Sequence, residues 1–94
     1  MAILPRMDVR QTIGWNLRRL RVGAGLSQER LALESGIDRA YVGRVERGKE
    51  NVTVSTLEAF SKTLNVHVSQ LFREVPEGAT WPKALPAGRR PKEK

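Results

Sequence analysis

An all-α fold of five helices is what the sequence predicts, and three observations predict it. Apolar residues recur at three- and four-residue spacing through the first 75 positions, and no run alternates apolar with polar as a half-buried strand does. Four segments open on a residue able to cap a helix, namely Asp8, Ser27, Asp38 and Thr53. Glycines stand where most of those segments must end. At 94 residues the chain has room for a single core.

Each element has its own warrant. Asp8 with Gln11 forms a capping-box pattern, after which Ile13, Leu17 and Leu20 mark the inner face of a first helix ending near Gly23 and Gly25. Ser27 caps a second helix, with Leu26 and Leu31 as a hydrophobic staple, and Gly36 stops it. Asp38 caps a third, with Ile37 and Val42 as staple, that ends at Arg47 and Gly48. Thr53 caps a fourth, stapled by Val52 and Leu57, with Leu57, Phe60 and Leu64 facing inward. A short fifth helix is expected over residues 68–72. His67, just before it, reads as a helix-entry or surface residue. Residues 1–7 are an N-terminal arm and 8–75 the folded unit. Beyond them Pro76, Pro82, Pro86 and Pro91 forbid a helix or a central strand, so 76–94 reads as an irregular basic tail. Trp81 and Leu85 could anchor it, whereas residues 89–94 are expected to be mobile.

Composition narrows the function. Seventeen Lys and Arg against ten Asp and Glu give a net charge of +7, which favours a polyanionic partner, nucleic acid or an acidic surface. There is no cysteine, and the lone His67 cannot build a zinc site, so neither metal nor cofactor is expected. No nucleophile–base set, acid pair or phosphate-cradling glycine loop can be assembled, which argues against an enzyme. No apolar run approaches a membrane span, and the opening five residues are too short for a signal peptide, so the cytoplasm is the expected location.

The segment from Gln28 to Arg47 carries the functional signal. Its fourth residue is Leu31 and its fifth the small Ala32, where two helices must approach closely. Its ninth is the turn residue Gly36, and its fifteenth and eighteenth, Val42 and Val45, face inward. That is the pattern of two short helices crossing steeply about a tight turn. On a helical wheel drawn from Arg39, Gly43 falls at about 40°, Arg47 at about 80°, Ala40 at about 100° and Arg44 at about 140°. One face of the third helix is therefore three arginines and two small residues. Small residues admit a close surface, and the guanidinium fork suits guanine edges and phosphates. The stretch 39–47 reads as a recognition helix for the major groove.

Residues 13–72 resemble the phage-repressor (Cro-like, xenobiotic-response-element type) helix-turn-helix family. The matching residues are Ile13-Gly14, Leu17-Arg18, Leu20-Arg21, Gly25 to Gln28, Leu31-Ala32, Gly36, Val45 to Gly48, Leu57, Leu64 and Leu71-Phe72. The stretch 41–52 is also similar to the controller proteins of restriction–modification systems. The resemblance implies a compact five-helix lambda-repressor-like domain. It would bind double-stranded operator DNA, regulate transcription as a homodimer and need no cofactor. It implies that Arg39, Ala40, Gly43 and Arg44 face bases, and that Tyr41, Arg47, Lys49 and Asn51 lie near phosphates. Gln28 would touch the backbone or an outer base, and Ser27 and Gln28 together stand where free amides attract a phosphate. Arg21 and Glu46 match a family pair that forms a partly buried salt bridge.

Other readings stand beside these. Arg47 and Lys49 fit a phosphate contact and a solvated charge equally, and Tyr41 could be core with only its hydroxyl outside. Arg18 and Arg19 read as ordinary surface charges, and Trp15 as packed beneath the tail or at a subunit contact. The apolar excess of Val66, Val68, Leu71 and Phe72 suggests dimerisation through the fourth and fifth helices. The rival function is an antitoxin or accessory protein of the same fold, acting through a protein partner bound to its tail.

Overall fold

A computed structural model describes residues 8–82 of the chain. Within them lie α1 (Val9–Gly23), α2 (Gln28–Ser35), α3 (Arg39–Glu46) and α4 (Val54–Leu64), followed by a 3-10 helix, Val68–Phe72. There is no strand among the described residues. The expected fifth helix therefore sits where the sequence placed it, but it is not an α-helix. Its hydrogen bond from Gln70 N to His67 O spans three residues, and a segment this short gains little from the wider α ladder. His67 is its entry residue, the ring Nδ1 accepting from Ser69 N.

The caps explain why the helices begin where they do. Asp8 accepts from Gln11 N while the Gln11 side chain accepts from Asp8 N, closing the capping box. That amide bond, helped by Arg10, holds the Asp8 carboxyl below the usual carboxylate range. Ser27, Asp38 and Thr53 each accept from the backbone three residues on. The staple residues Leu26, Ile37 and Val52 pack half-buried against the core. At the other ends, Gly36 (φ 76°) and Gly48 (φ 74°) adopt the left-handed conformation. Each lets the next amide reach back five residues, Ile37 N to Ala32 O and Lys49 N to Arg44 O. Asn65 does the same for α4 at φ 57°.

The core gathers Ile13 and Leu17 of α1, Leu31 and Ala32 of α2, Val42 and Val45 of α3, Leu57, Phe60 and Leu64 of α4, and Leu71. At Gly14 two helices cross backbone to backbone. A Cβ there would lie 2.4 Å from the Val45 carbonyl and 2.7 Å from that of Glu46, so only glycine lets α1 and α3 meet at this depth. The buried Asn16 ties α1 to the end of the 3-10 helix, its Nδ2 donating to Leu71 O at 3.3 Å and Arg73 O at 2.8 Å.

The described part of the tail, 76–82, is irregular as expected, but it is held differently. Trp15 Nε1 donates to Thr80 O at 3.0 Å and Arg18 Nε to Pro82 O at 2.7 Å, so α1 side chains grip tail carbonyls. Trp81, expected to anchor the tail, remains 45 % exposed. Arg18 is thus no ordinary surface charge. Nor is Arg19, which donates to Asn16 Oδ1 and lies over the Trp15 ring. Trp15 packs beneath the tail, the first of its two readings. The arm 1–7, Leu85 and residues 89–94 lie outside the described residues.

Candidate nucleic-acid interface

The buried ion pair comes first, because it fixes α3. Arg21 of α1 meets Glu46 of α3 through two bonds, Nε to Oε2 at 2.6 Å and Nη2 to Oε1 at 3.0 Å, with both side chains almost wholly excluded from water. Arg21 Nη1 also donates to Leu26 O at 2.8 Å, and Gln28 Nε2 donates to Glu46 Oε1 at 3.0 Å. The ion pair therefore joins α1, the loop after it, α2 and α3. A planar fork matched to a carboxylate constrains orientation as well as distance. With Gly14 seated against the Val45 and Glu46 carbonyls, α3 has little freedom to roll.

What α3 turns outward follows from that fixation. Val42 and Val45 are buried, and Arg39, Ala40, Arg44 and Arg47 are exposed, with Lys49 and Asn51 exposed just beyond the helix. Ser27, also exposed, spends its hydroxyl oxygen on Arg30 N. Arg39, Arg47 and Lys49 make no ion pair among the described residues. Arg47 is the cap residue after Glu46 rather than the last turn of α3, so the helix is one residue shorter than the expected 39–47.

Two members of the expected set differ from an open, free arc. Gly43 is buried: a Cβ on it would find Arg47 Nη1 at 3.3 Å and Gln28 Oε1 at 3.7 Å. The neighbouring side chains fill the space glycine leaves. Arg44 Nε pairs with Glu50 Oε2, and its guanidinium lies over the Tyr41 ring at 5.6 Å. The Glu50 bond raises the Arg44 pKa further above its usual range. The Glu50 partnership carried no sequence signal, because it bridges the glycine turn at Gly48. Tyr41 is half-buried against the core, and the Arg44 contact lies on its ring.

Two short helices joined at Gly36, the first packed under the second and the second held by a buried pair with its arginines outward, define a helix-turn-helix protein. The family model described as Helix-turn-helix matches residues 17–71, and the chain belongs to that family. It is 46% identical over 66 residues to the control protein C.SmaI of Serratia marcescens, covering 70% of this chain and 79% of that one. The immunity repressor protein of Bacillus phage phi105 is 33% identical over 63 residues, and here the chain spans 44% of a longer protein. Among solved structures, the restriction–modification controller protein C.AhdI from Aeromonas hydrophila superposes with a TM-score of 0.66 at 44% identity, covering 67% of this chain and 96% of that one. The resemblance to phage repressors and controller proteins read from the sequence therefore holds.

Proposed function

We propose that the chain is a sequence-specific regulator of transcription that binds double-stranded DNA with α3 in the major groove. The observation that carries this reading is the fixed outward arc of Arg39, Ala40, Arg44 and Arg47 on a helix locked by Arg21 and Glu46. Arg39 and Arg44 are the proposed base readers, with Ala40 lying against bases between them. Tyr41, Arg47, Lys49 and Asn51 flank them where a backbone would pass, and Ser27 and Gln28 stand at the start of α2, with Gln28 beside Arg47 over Gly43. Membership of the helix-turn-helix family and likeness to controller proteins and a phage repressor support the reading.

The unit that binds is residues 8–75, with 76–82 laid over α1. The regulator works as a homodimer joined near α4 and the 3-10 helix, which would set two α3 helices about one DNA turn apart, roughly 34 Å. Leu71, one of the residues expected to form that contact, is wholly buried in the core, so Phe72, 47 % exposed, with half-buried Val66 and Val68 beside it, must supply the surface. Its operator is near-palindromic, and its place of action is the nucleoid in the cytoplasm. No helix among the described residues is long and apolar enough to cross a membrane.

The test is selection of bound duplexes from a random pool. A recovered site with two related half-sites is the expected result. Recovery of unselected sequence would overturn the reading.

A further inference from the structure

We infer that Gln28 reads a base, and that Glu46 dictates which kind: the Gln28 carbonyl oxygen, standing over Gly43, accepts from the exocyclic amino group of an adenine or cytosine. This rests on the DNA-binding reading above and names a specificity determinant within it.

Glu46 fixes the polarity of the Gln28 amide. Glu46 is paired with Arg21 through both oxygens, so it is ionised and can only accept. Its Oε1 is 3.0 Å from the Gln28 amide, and the partner there must be the NH2 end. The Gln28 carbonyl oxygen is thereby turned the other way. It lies 3.7 Å from the point a Cβ on Gly43 would occupy, in the middle of the outward face of α3. An amide without such a lock presents either end; this one turns its acceptor over the face of α3, and only the second Nε2 hydrogen is left to donate elsewhere.

The neighbour matters as much. Arg47 Nη1 lies 3.3 Å from the same point over Gly43, so a donor able to face phosphates stands beside an acceptor that cannot. Phosphate oxygens accept only, and the Gln28 oxygen has nothing to offer them. In the major groove the acceptor needs an amino hydrogen, which adenine carries at N6 and cytosine at N4. A guanine or thymine edge would place oxygen against oxygen. The small residue at position 43 is what opens this place to a side chain from α2.

The experiment uses the full chain and the selected site. Each adenine or cytosine of a half-site is replaced in turn by the analogue lacking its exocyclic amino group, and affinity is measured for the wild type and for Gln28→Ala. One position per half-site should cost the wild type about three- to tenfold. Gln28→Ala should show no further loss at that position and should accept guanine or thymine there. Circular dichroism should be unchanged, since Glu46 keeps Arg21. If no amino deletion costs the wild type more than about twofold, or if Gln28→Ala weakens every sequence by one common factor, Gln28 contacts the backbone and the inference is wrong. Both results leave sequence selection by the wild type intact. Loss of selection altogether would instead bring down the DNA-binding reading together with this one.

Discussion

Arg21 and Glu46 are the residues on which the interface geometry depends. Each is almost wholly buried, so removing either leaves a charge without its partner in a medium that solvates it poorly. Glu46→Ala should cost about 3–5 kcal/mol of stability, read as a lower denaturant midpoint with unchanged slope. A loss below about 1 kcal/mol would mean that water reaches the pair. Arg44 sits in the opposite regime, exposed and free to exchange partners. Glu50 takes its Nε, which leaves the two terminal nitrogens as the fork that a guanine edge requires. Arg44→Ala and Arg39→Ala should each lose several-fold to about a hundredfold in discrimination at one base position. Glu50→Gln should blur the same position as Arg44→Ala, by a smaller factor. Lys49→Ala, beyond the glycine turn, should weaken all sequences nearly alike. Competition binding against a panel of single-base variants distinguishes these outcomes, and wild-type preference in both arginine variants would remove α3 from the role of reader.

At the scale of elements, α1 and α3 cross with backbone against backbone at Gly14. Gly14 faces backbone carbonyls rather than flexible side chains, so a methyl group there cannot be accommodated by a rotamer change. Gly14→Ala should destabilise by about 1–3 kcal/mol or more, because the two helices must move apart. The same movement would disturb the Arg21–Glu46 bonds, so specific affinity should fall even where the variant remains folded. Gly43→Ala offers the contrast. Its new methyl would press only on the flexible end of Arg47 at 3.3 Å, with Gln28 at ordinary contact distance. Helix propensity then favours the variant by about 0.5–1 kcal/mol, while DNA selectivity should change. Thermal unfolding of the pair gives a direct comparison, and equal destabilisation by both would contradict the account of Gly14.

At the scale of the whole molecule, the chain's later residues are folded back onto its first helix. Trp15 and Arg18 hold tail carbonyls 65 and 64 residues away in sequence. Trp15→Phe keeps an aromatic ring but loses the donor and part of the buried indole, and with them about 1 kcal/mol or more of local stability. Amides around the Pro76 to Ala79 turn should then exchange faster while those of the core do not change. Uniform protection across the tail would show that the tryptophan bond is dispensable. The net charge of +7 acts at this scale too. Binding to duplex DNA should weaken steeply with salt, the log–log slope growing by about 0.9 for each phosphate neutralised. Anisotropy titrations at several salt concentrations would reveal it, and a flat response would exclude backbone neutralisation as the source of affinity. Phe72→Glu should give a monomer by sedimentation and weaken binding to a two-half-site duplex far more than to a single half-site.

Legibility in the sequence followed the range of the interaction. Capping by Asp8, Ser27, Asp38 and Thr53, the stops at Gly36 and Gly48, and the outward placement of Arg39, Arg44 and Arg47 are all decided within about five residues, and so they could be read from spacing alone. The helix-turn-helix was legible for the same reason, being two adjacent helices and one turn. Tertiary structure decided the rest. It filled the space over Gly43, gave Arg44 to Glu50, engaged Asn16 with Leu71 and Arg73, and set Trp15 and Arg18 against the tail. Most of these contacts join residues that only the packed core brings together. A local pattern can say which way a side chain leaves its helix, but what it meets there depends on where the other helices lie.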